Sequence, residues 1–322
     1  MATTYKTFLG NDVTTTRTLL HEAIPITGTI ASGTYKADGN IKNYNHGMFQ
    51  SVYDYPYLSS SANHIFDIAV GYSTGSHLSG NHHPSVGNAK KINIYNQMAQ
   101  VLVGHDTNGK IRAFDGLGKF SETHGKSKIH ECFFINFSRL LSKDEIKKGS
   151  FAMKLYAASG TSGQGPRNMR RTLADHGAAS SYKVNSPAGE YAPLYTASST
   201  PSAVGKSVFG LVYYQAGIAV ITASFFRGEF SDDRQTNRHS TTDGKPGGVG
   251  VSSSVAGGSN RGTPVNGAWG RSPGINSFLT GSSITGACDA FRNRLINISF
   301  NNTTELNSTI YFCRANHNDF NY

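Results

Sequence analysis

The segment VFGLVYYQAGIAVITASFF, residues 208–226, is the most apolar part of the chain and carries no charged side chain. A transmembrane helix needs about 20 consecutive apolar residues without a central breaker, whereas Gln215 and Gly217 interrupt this run. Val, Ile, Tyr and Phe dominate the segment, and these residues favour strands. The sequence therefore predicts a β-hairpin with its turn at residues 215–217, and not a membrane span.

Both faces of this predicted hairpin are apolar. Successive side chains of a strand alternate between its two faces. The two alternating sets of the first strand are Val208, Val212 and Tyr214 on one face and Phe209, Leu211 and Tyr213 on the other. A strand of this kind has to be covered on both sides. We expect the core of the protein to cover one side, and a second sheet of the same chain or a neighbouring subunit to cover the other.

The composition favours a mainly β protein. The chain has 322 residues with 36 Gly, 16 Tyr and 18 Phe, and only 16% of its residues are charged. We expect β-sandwich or jelly-roll-like sheets with two or three short helices, the best of them in AKKINIYNQMAQVLVG, residues 89–104. The length suits two lobes, a mixed β/α lobe at 1–158 and a β-rich lobe at 159–322 that contains a Gly-rich loop at about 243–274.

Two segments near the ends of the chain have less distinct patterns. NDVTTTRTLLHEAIP, residues 11–25, predicts a short helix that begins at Asp12 or a following Thr and ends at Pro25. RLINISFNNTTELNSTIYFCRA, residues 294–315, predicts two strands around a turn at residues 301–307.

The charge and the cysteines limit the classes of partner and compartment. The net charge of +10 is scattered, and its densest cluster is Arg167, Arg170 and Arg171. A basic surface in water or an acidic protein partner fits this pattern better than nucleic acid.

The three cysteines are odd in number and have no C-x-x-C spacing; they are Cys132, Cys288 and Cys313. This pattern indicates buried, reduced thiols in a chain folded in a cytoplasm. The first residues show no signal-peptide pattern.

No catalytic, metal or cofactor site is predicted. The segment at 203–207, AVGKS, lacks the first Gly of a phosphate-binding loop. His130 and Cys132 share one face of a predicted strand, but this pair alone defines no thiol nucleophile. The candidate metal ligands that lie in or before a polar loop lack a carboxylate or Cys at ligand spacing; they are His64, His77, His82 and His83.

Carboxylates give no acid–base pair either. Asp144–Glu145 and Asp232–Asp233 are sequence neighbours, whose side chains point to opposite faces of a strand. A carboxylate pair assembled from distant positions of the chain stays open as an alternative. It would make the protein a cell-wall or capsule hydrolase, and turnover of a polysaccharide or peptidoglycan would reveal that activity. Tyr53, Tyr55 and Tyr57 could form a platform for stacking on a sugar, although such residues more often pack in a core.

Several stretches carry a resemblance to a known family. They include KTFLGNDVTTTRTLLHEAIPITGTI, NIKNYNHGMFQSVYDYPYLSSSANHIFDIAVG, INIYNQMAQVLVG, FFINFSRLLSKDEIKKGSF, VNSPAGEY and GLVYYQAGIAV. Together they resemble virion structural proteins of large contractile-tailed bacteriophages, notably those of cyanobacteria. The resemblance covers most of the chain outside 243–274. It implies a non-enzymatic part of the tail or baseplate, made in the bacterial cytoplasm and located in the virion, and it carries over no functional residues.

The expected role is therefore a virion subunit that binds other subunits and copies of itself. The side chains predicted at its interfaces are Tyr213, Tyr214, Phe225, Phe226, Trp269, Phe320 and Tyr322. Two alternatives stay open. A receptor-binding module would bind host glycan through residues 53–57 or through the loop at His82–His83. A glycan array would test this alternative. A capsid decoration or neck protein would have the same kind of sequence, and only labelling within particles would distinguish it.

Overall fold

A computed structural model of the chain describes residues 7–26, 38–54, 63–76, 86–118, 128–156, 170–196, 208–226, 279 and 283–313. The protein is mainly β, which confirms the predicted fold class. Four α-helices lie in these residues: α1 (Val86–Leu102), α2 (Arg139–Ser142), α3 (Ala178–Ser181) and α4 (Ile284–Arg294). The strands in chain order are β1 (Val13–Ile26), β2 (Ile41–Asn43), β3 (Gln50–Tyr53), β4 (His64–Tyr72), β5 (Phe114–Asp115), β6 (Lys128–Ile129), β7 (Glu131–Phe137), β8 (Glu145–Ile146), β9 (Ala152–Tyr156), β10 (Arg170–Ala174), β11 (Lys183–Ser186), β12 (Gly189–Thr196), β13 (Gly210–Tyr213), β14 (Ile218–Thr222) and β15 (Leu295–Tyr311).

Thirteen strands form one sheet, in which every strand pair is antiparallel. Its order is β1-β15-β9-β10-β12-β13-β14-β7-β4-β3-β2, with β8 beside β15 and β11 beside β12. Six strand steps separate β15 from β7, which would be about 29 Å in a flat sheet. The rings of Phe300 on β15 and Phe137 on β7 are nevertheless only 5.1 Å apart. The sheet therefore folds over, and its two halves face each other across a core.

The predicted hairpin is present as β13 and β14, with Gly217 in its turn at a φ of +65°. Its own chain covers both faces. On one face, Tyr213 contacts Phe114, which also packs against Tyr95 of α1. On the opposite face of the sheet, Phe133 of the neighbouring strand β7 packs against Phe291 of α4, with ring centroids 4.9 Å apart. Side chains of both hairpin faces are fully buried within the single chain, so the alternative in which a neighbouring subunit covers one face is wrong for this hairpin.

The predicted boundary at residue 158 does not separate two units. Strand β7 from the first half pairs with β14 from the second, and β9 pairs with both β10 and β15. Buried side chains from both halves belong to one core. The Gly-rich stretch at 243–274 lies outside the described residues.

Helix α1 confirms the helix predicted within residues 89–104. Ile94, Tyr95 and Leu102 are buried against the sheet, whereas Val101 is 62% exposed. The helix lies very close to β4 at Gly71, where a β-carbon would be 2.6 Å from the carbonyl oxygen of Lys91. The absence of a side chain at Gly71 therefore sets the distance between helix and sheet.

The cysteines differ in exposure. Cys132 and Cys288 are buried, as predicted, and burial raises the pKa of both thiols. Cys313 is exposed, so the prediction of buried thiols is wrong at this position. The reason is that Cys313 follows the exposed end of β15, which packs against no core.

A buried carboxylate joins three segments of the core. Asp175 accepts hydrogen bonds from the backbone N–H of Gly149 at 2.7 Å, from the N–H of Phe151 at 3.0 Å and from the hydroxyl of Tyr214 at 2.8 Å. Burial raises the pKa of Asp175 from 3.8 to about 6, although these hydrogen bonds oppose the increase. The folded state therefore binds a proton at Asp175 more tightly than the unfolded chain does.

This difference predicts a pH-dependent stability. As the pH rises from about 4 to about 6, the contribution of Asp175 should lower the free energy of unfolding, by at most about 3 kcal/mol. Asp175→Asn cannot titrate, so the stability of wild type relative to this variant should fall over the same pH range and stay constant above it. Urea unfolding of both proteins between pH 4 and 7 measures the difference. A difference that does not change with pH would contradict the raised pKa.

Candidate functional site: a two-stranded arm

The first and last described strands, β1 and β15, pair with each other over 14 residues, from Val13 with Tyr311 to Ile26 with Ile298. Both predictions for these segments are wrong, because β1 is a strand and not a helix, and β15 continues without a turn. Four threonines in residues 14–18 explain the first error in part, since β-branched side chains favour a strand. We call residues 13–20 and 304–311 the arm.

The base of the arm is fixed by the segment that follows α2. The N–H of Lys147 donates to the carbonyl oxygen of Asn301 at 2.7 Å. The carboxylate of Asp144 accepts from the N–H of Glu305 at 2.8 Å. Asn302 donates to the carbonyl oxygen of Leu141 at 2.9 Å and accepts from the N–H of Glu22 at 3.1 Å. Beyond Glu305, the only described strand that pairs with β15 is β1.

One face of the arm carries half-exposed apolar side chains. Ile24 and Phe300 form a directly opposed pair at the base, where Phe300 is buried. Leu20, Leu306 and Ile310 follow on the same face, because side chains two residues apart on a strand share a face. Their exposed fractions are 51%, 48% and 46%. The polar pair of Glu22 and Asn302 separates these three side chains from the core on this face, so the apolar stripe of the arm consists of Leu20, Leu306 and Ile310 and lies in water.

The opposite face of the arm is mixed. Arg17 and Glu305 form an exposed ion pair across the two strands, and Leu19 lies beside them with about half of its surface exposed. Toward the tip, the rings of Phe8 and Tyr311 are 5.5 Å apart, and both side chains are more than half exposed. Ion pairs of this kind contribute little to stability, so this face does not by itself hold the arm together.

The arm lacks the neighbours that usually stabilise a ribbon. Within the part of the chain that the structure describes, β15 is the only strand paired with β1, so the outer edge of β1 leaves backbone donors and acceptors unpaired by any strand. A two-stranded ribbon is only marginally stable alone in water. Burying each half-exposed Leu or Ile would stabilise it by about 1 kcal/mol. Unpaired strand edges and exposed apolar side chains are features that contact surfaces between polypeptides commonly have.

The predicted interface side chains do not coincide with this surface. Tyr213 and Tyr214 are fully buried and Phe225 is 4% exposed, so their assignment to an interface is wrong, because core packing covers them. The remaining four cannot be placed: the side chain of Phe226, together with Trp269, Phe320 and Tyr322, lies outside the described residues.

The predicted aromatic platform is only partly described. Tyr53 lies at the end of β3, partly buried, and its ring is 5.5 Å from that of His64. Tyr55 and Tyr57 lie outside the described residues. Position 53 is therefore the one member of the predicted set whose surroundings are known.

The other candidate groups are bound within the fold. His130 contacts the hydroxyl of Ser73 at 2.7 Å, while the thiol of Cys132 points to the carbonyl oxygen of Ile129. Among the residues described, no three His, Cys, Asp or Glu side chains gather as metal ligands, and no helix is long and apolar enough to cross a membrane. His77, His82, His83, Asp232, Asp233 and the segment at 203–207 fall outside the described ranges.

No family model, curated protein or solved structure matches this chain. The arm is therefore the feature of the described fold on which a functional conclusion can be based.

Proposed function

We propose that this protein is a non-enzymatic structural subunit of a virion, in the tail or baseplate, and that it associates with copies of itself through the arm. The observation that carries the proposal is the exposed apolar stripe of Leu20, Leu306 and Ile310 on a ribbon without further strand neighbours. The stretches of sequence that resemble virion structural proteins of contractile-tailed bacteriophages support the particle and its location.

A second copy of the chain suits the arm for a geometric reason. The outer edge of β1 can pair with an identical edge through a two-fold axis perpendicular to the ribbon. Antiparallel pairing keeps opposed side chains on the same face, so both copies of Leu20 would lie on one side of the joined ribbon. A single continuous apolar surface would result, instead of two separate stripes.

The mechanism is mechanical and needs no bound cofactor. The body supplies a fixed base through Asp144 and Lys147, and the arm supplies the contact. The favourable free energy of association comes from apolar surface that is removed from water and from backbone N–H and C=O groups of β1 that form hydrogen bonds with the second copy. Such a contact also joins subunits without any change in the core, because the arm extends from it.

Sedimentation of the full chain over a range of concentrations tests the self-association. We expect reversible assembly to species heavier than the 34.6 kDa monomer. A chain that stays monomeric at every concentration would contradict the role of the arm. Antibodies against the chain should label the tails of purified particles, and a failure to label any part of the particle would contradict the virion assignment separately.

A further inference from the structure

One face of the sheet carries a polar row where an apolar one would be expected. Lys42 of β2, Ser51 of β3, Asp67 of β4 and Asn136 of β7 are paired in register and so share this face. The next row inward on the same face includes Ala69 and Phe134, which are buried in the core. The polar row therefore begins where the apolar core ends.

The row is accessible from outside. The side chains of His64 and Asp67 are 32% and 25% exposed, and Lys42 and Asn136 are partly exposed as well. A polar row with this exposure is not required for packing, because the apolar core next to it is already covered by α1. It is instead available for contact with a ligand.

Aromatic rings border the polar row. In the loop between β2 and β3, the rings of Tyr44, His46 and Phe49 contact one another with centroids 4.8–5.1 Å apart. At the end of β3, Tyr53 packs against His64. Burial, with the hydrogen bond to Tyr44 and the nearby charge of Asp67, raises the pKa of Tyr53 to about 12. The hydroxyl of Tyr53 therefore stays protonated at neutral pH.

Internal hydrogen bonds orient these groups but use only part of their capacity. The Oδ1 atom of Asp67 accepts from the hydroxyl of Ser51 at 2.5 Å and contacts the Nε2 atom of His64 at 2.7 Å. The Oδ2 atom of Asp67 and the side-chain amide of Asn136 form no hydrogen bond with any described residue. A fixed carboxylate oxygen and a neighbouring amide, which both accepts and donates, thus lie side by side on adjacent strands.

We propose that this surface, made of Tyr44, Tyr53, His64, Asp67 and Asn136, binds a neutral oligosaccharide. Sugar hydroxyls both donate and accept, so one can donate to Asp67 Oδ2 while another exchanges hydrogen bonds with the amide of Asn136. The apolar C–H groups of a pyranose ring pack against aromatic side chains. A few convergent polar groups beside aromatic rings form a typical small-ligand site.

The charges at this surface favour a neutral ligand over a polyanion. The positive Lys42 on β2 and the negative Asp67 on β4 lie in the same row with only β3 between their strands, so the row has no excess of either sign. A nucleic acid or a sulfated glycan would require concentrated positive charge. The proposal is independent of the arm, because it involves the other end of the sheet order.

A glycan array tests the proposal with the full chain. The array carries neutral gluco-, galacto- and manno-oligosaccharides beside sialylated and sulfated ones. We expect retention of at least one neutral oligosaccharide, and titration of that sugar should give affinities at least about tenfold weaker for Asp67→Asn and for Asn136→Ala. Tyr53→Phe keeps the ring and should lose less affinity than Tyr53→Ala.

The controls separate binding from folding. Asn108→Ala removes an exposed amide in the turn after α1 and should bind like wild type. Asn136→Ala removes only a partly exposed side chain, and its thermal unfolding should stay close to that of wild type, so its loss of affinity would not reflect unfolding. Retention of no glycan, retention of charged glycans alone, or unchanged affinity in both Asp67→Asn and Asn136→Ala would overturn the proposal.

Discussion

Replacing Leu20, Leu306 and Ile310 together by aspartate should weaken self-association of the chain by about 100-fold or more. Each side chain is about half exposed in the single chain and would contribute about 1 kcal/mol when buried against a second copy. Three such losses correspond to about two powers of ten in the dissociation constant. Aspartate would add repulsion between the copies. Sedimentation equilibrium of both proteins gives the two constants.

The matched control is Val184→Asp. Val184 lies on β11, away from the arm, and is 69% exposed, so the change places one aspartate at an exposed apolar position on a strand outside the arm. We expect its dissociation constant to equal that of wild type. The arm would not be the contact if the triple variant associated normally, or if Val184→Asp weakened association as much. Circular dichroism should show the same folded spectrum for all three proteins.

Replacing Gly71 by alanine should lower the free energy of unfolding by about 3 kcal/mol. The added methyl group would lie 2.6 Å from the carbonyl oxygen of Lys91 and 2.8 Å from the backbone nitrogen of Tyr95. Both atoms belong to the backbone of α1, so no side-chain rotation can relieve the contact. The whole helix would have to move away from β4, and its buried side chains would lose packing.

Gly10→Ala serves as the control for this change. A β-carbon at Gly10 would meet no atom within 4 Å, so its stability should lie within about 0.5 kcal/mol of wild type. Urea unfolding of the three proteins measures the effect. Equal stabilities for Gly71→Ala and Gly10→Ala would show that α1 is not held against β4 as closely as described.

The central hairpin could be predicted from the sequence because its signal is local. The turn at Gly217 and the alternation of apolar side chains lie within 19 residues. What covers the hairpin could not be predicted, because the groups packed around it, such as Phe114 against Tyr213, come from distant parts of the chain. The interface assignment of Tyr213 and Tyr214 failed for this reason. A strand that is apolar on both faces has the same sequence pattern whether its own chain or a second subunit covers it.

The arm was missed because its pattern appears only after pairing. Leu20 and Leu306 come to one face through a register that joins residues nearly 300 positions apart. Taken alone, the threonine-rich β1 segment also contains the helix signals of Asp12 and Pro25. The polar row was missed in the same way, because Asp67 and Asn136 are neighbours only across β4 and β7. Of that site, the sequence singled out only Tyr53, as part of an aromatic platform, and His64, as a candidate metal ligand.

The pairing of β1 with β15 also determines when a newly made chain can begin to associate. Strand β1 ends at Ile26, but its partner β15 begins only at Leu295 and is therefore synthesised much later. Contacts between such distant segments form late in folding, and translation adds only about 5–20 residues per second. A nascent chain in which β15 has not yet been made therefore cannot form the arm, so the proposed association through the arm has to wait until β15 has been synthesised and paired with β1.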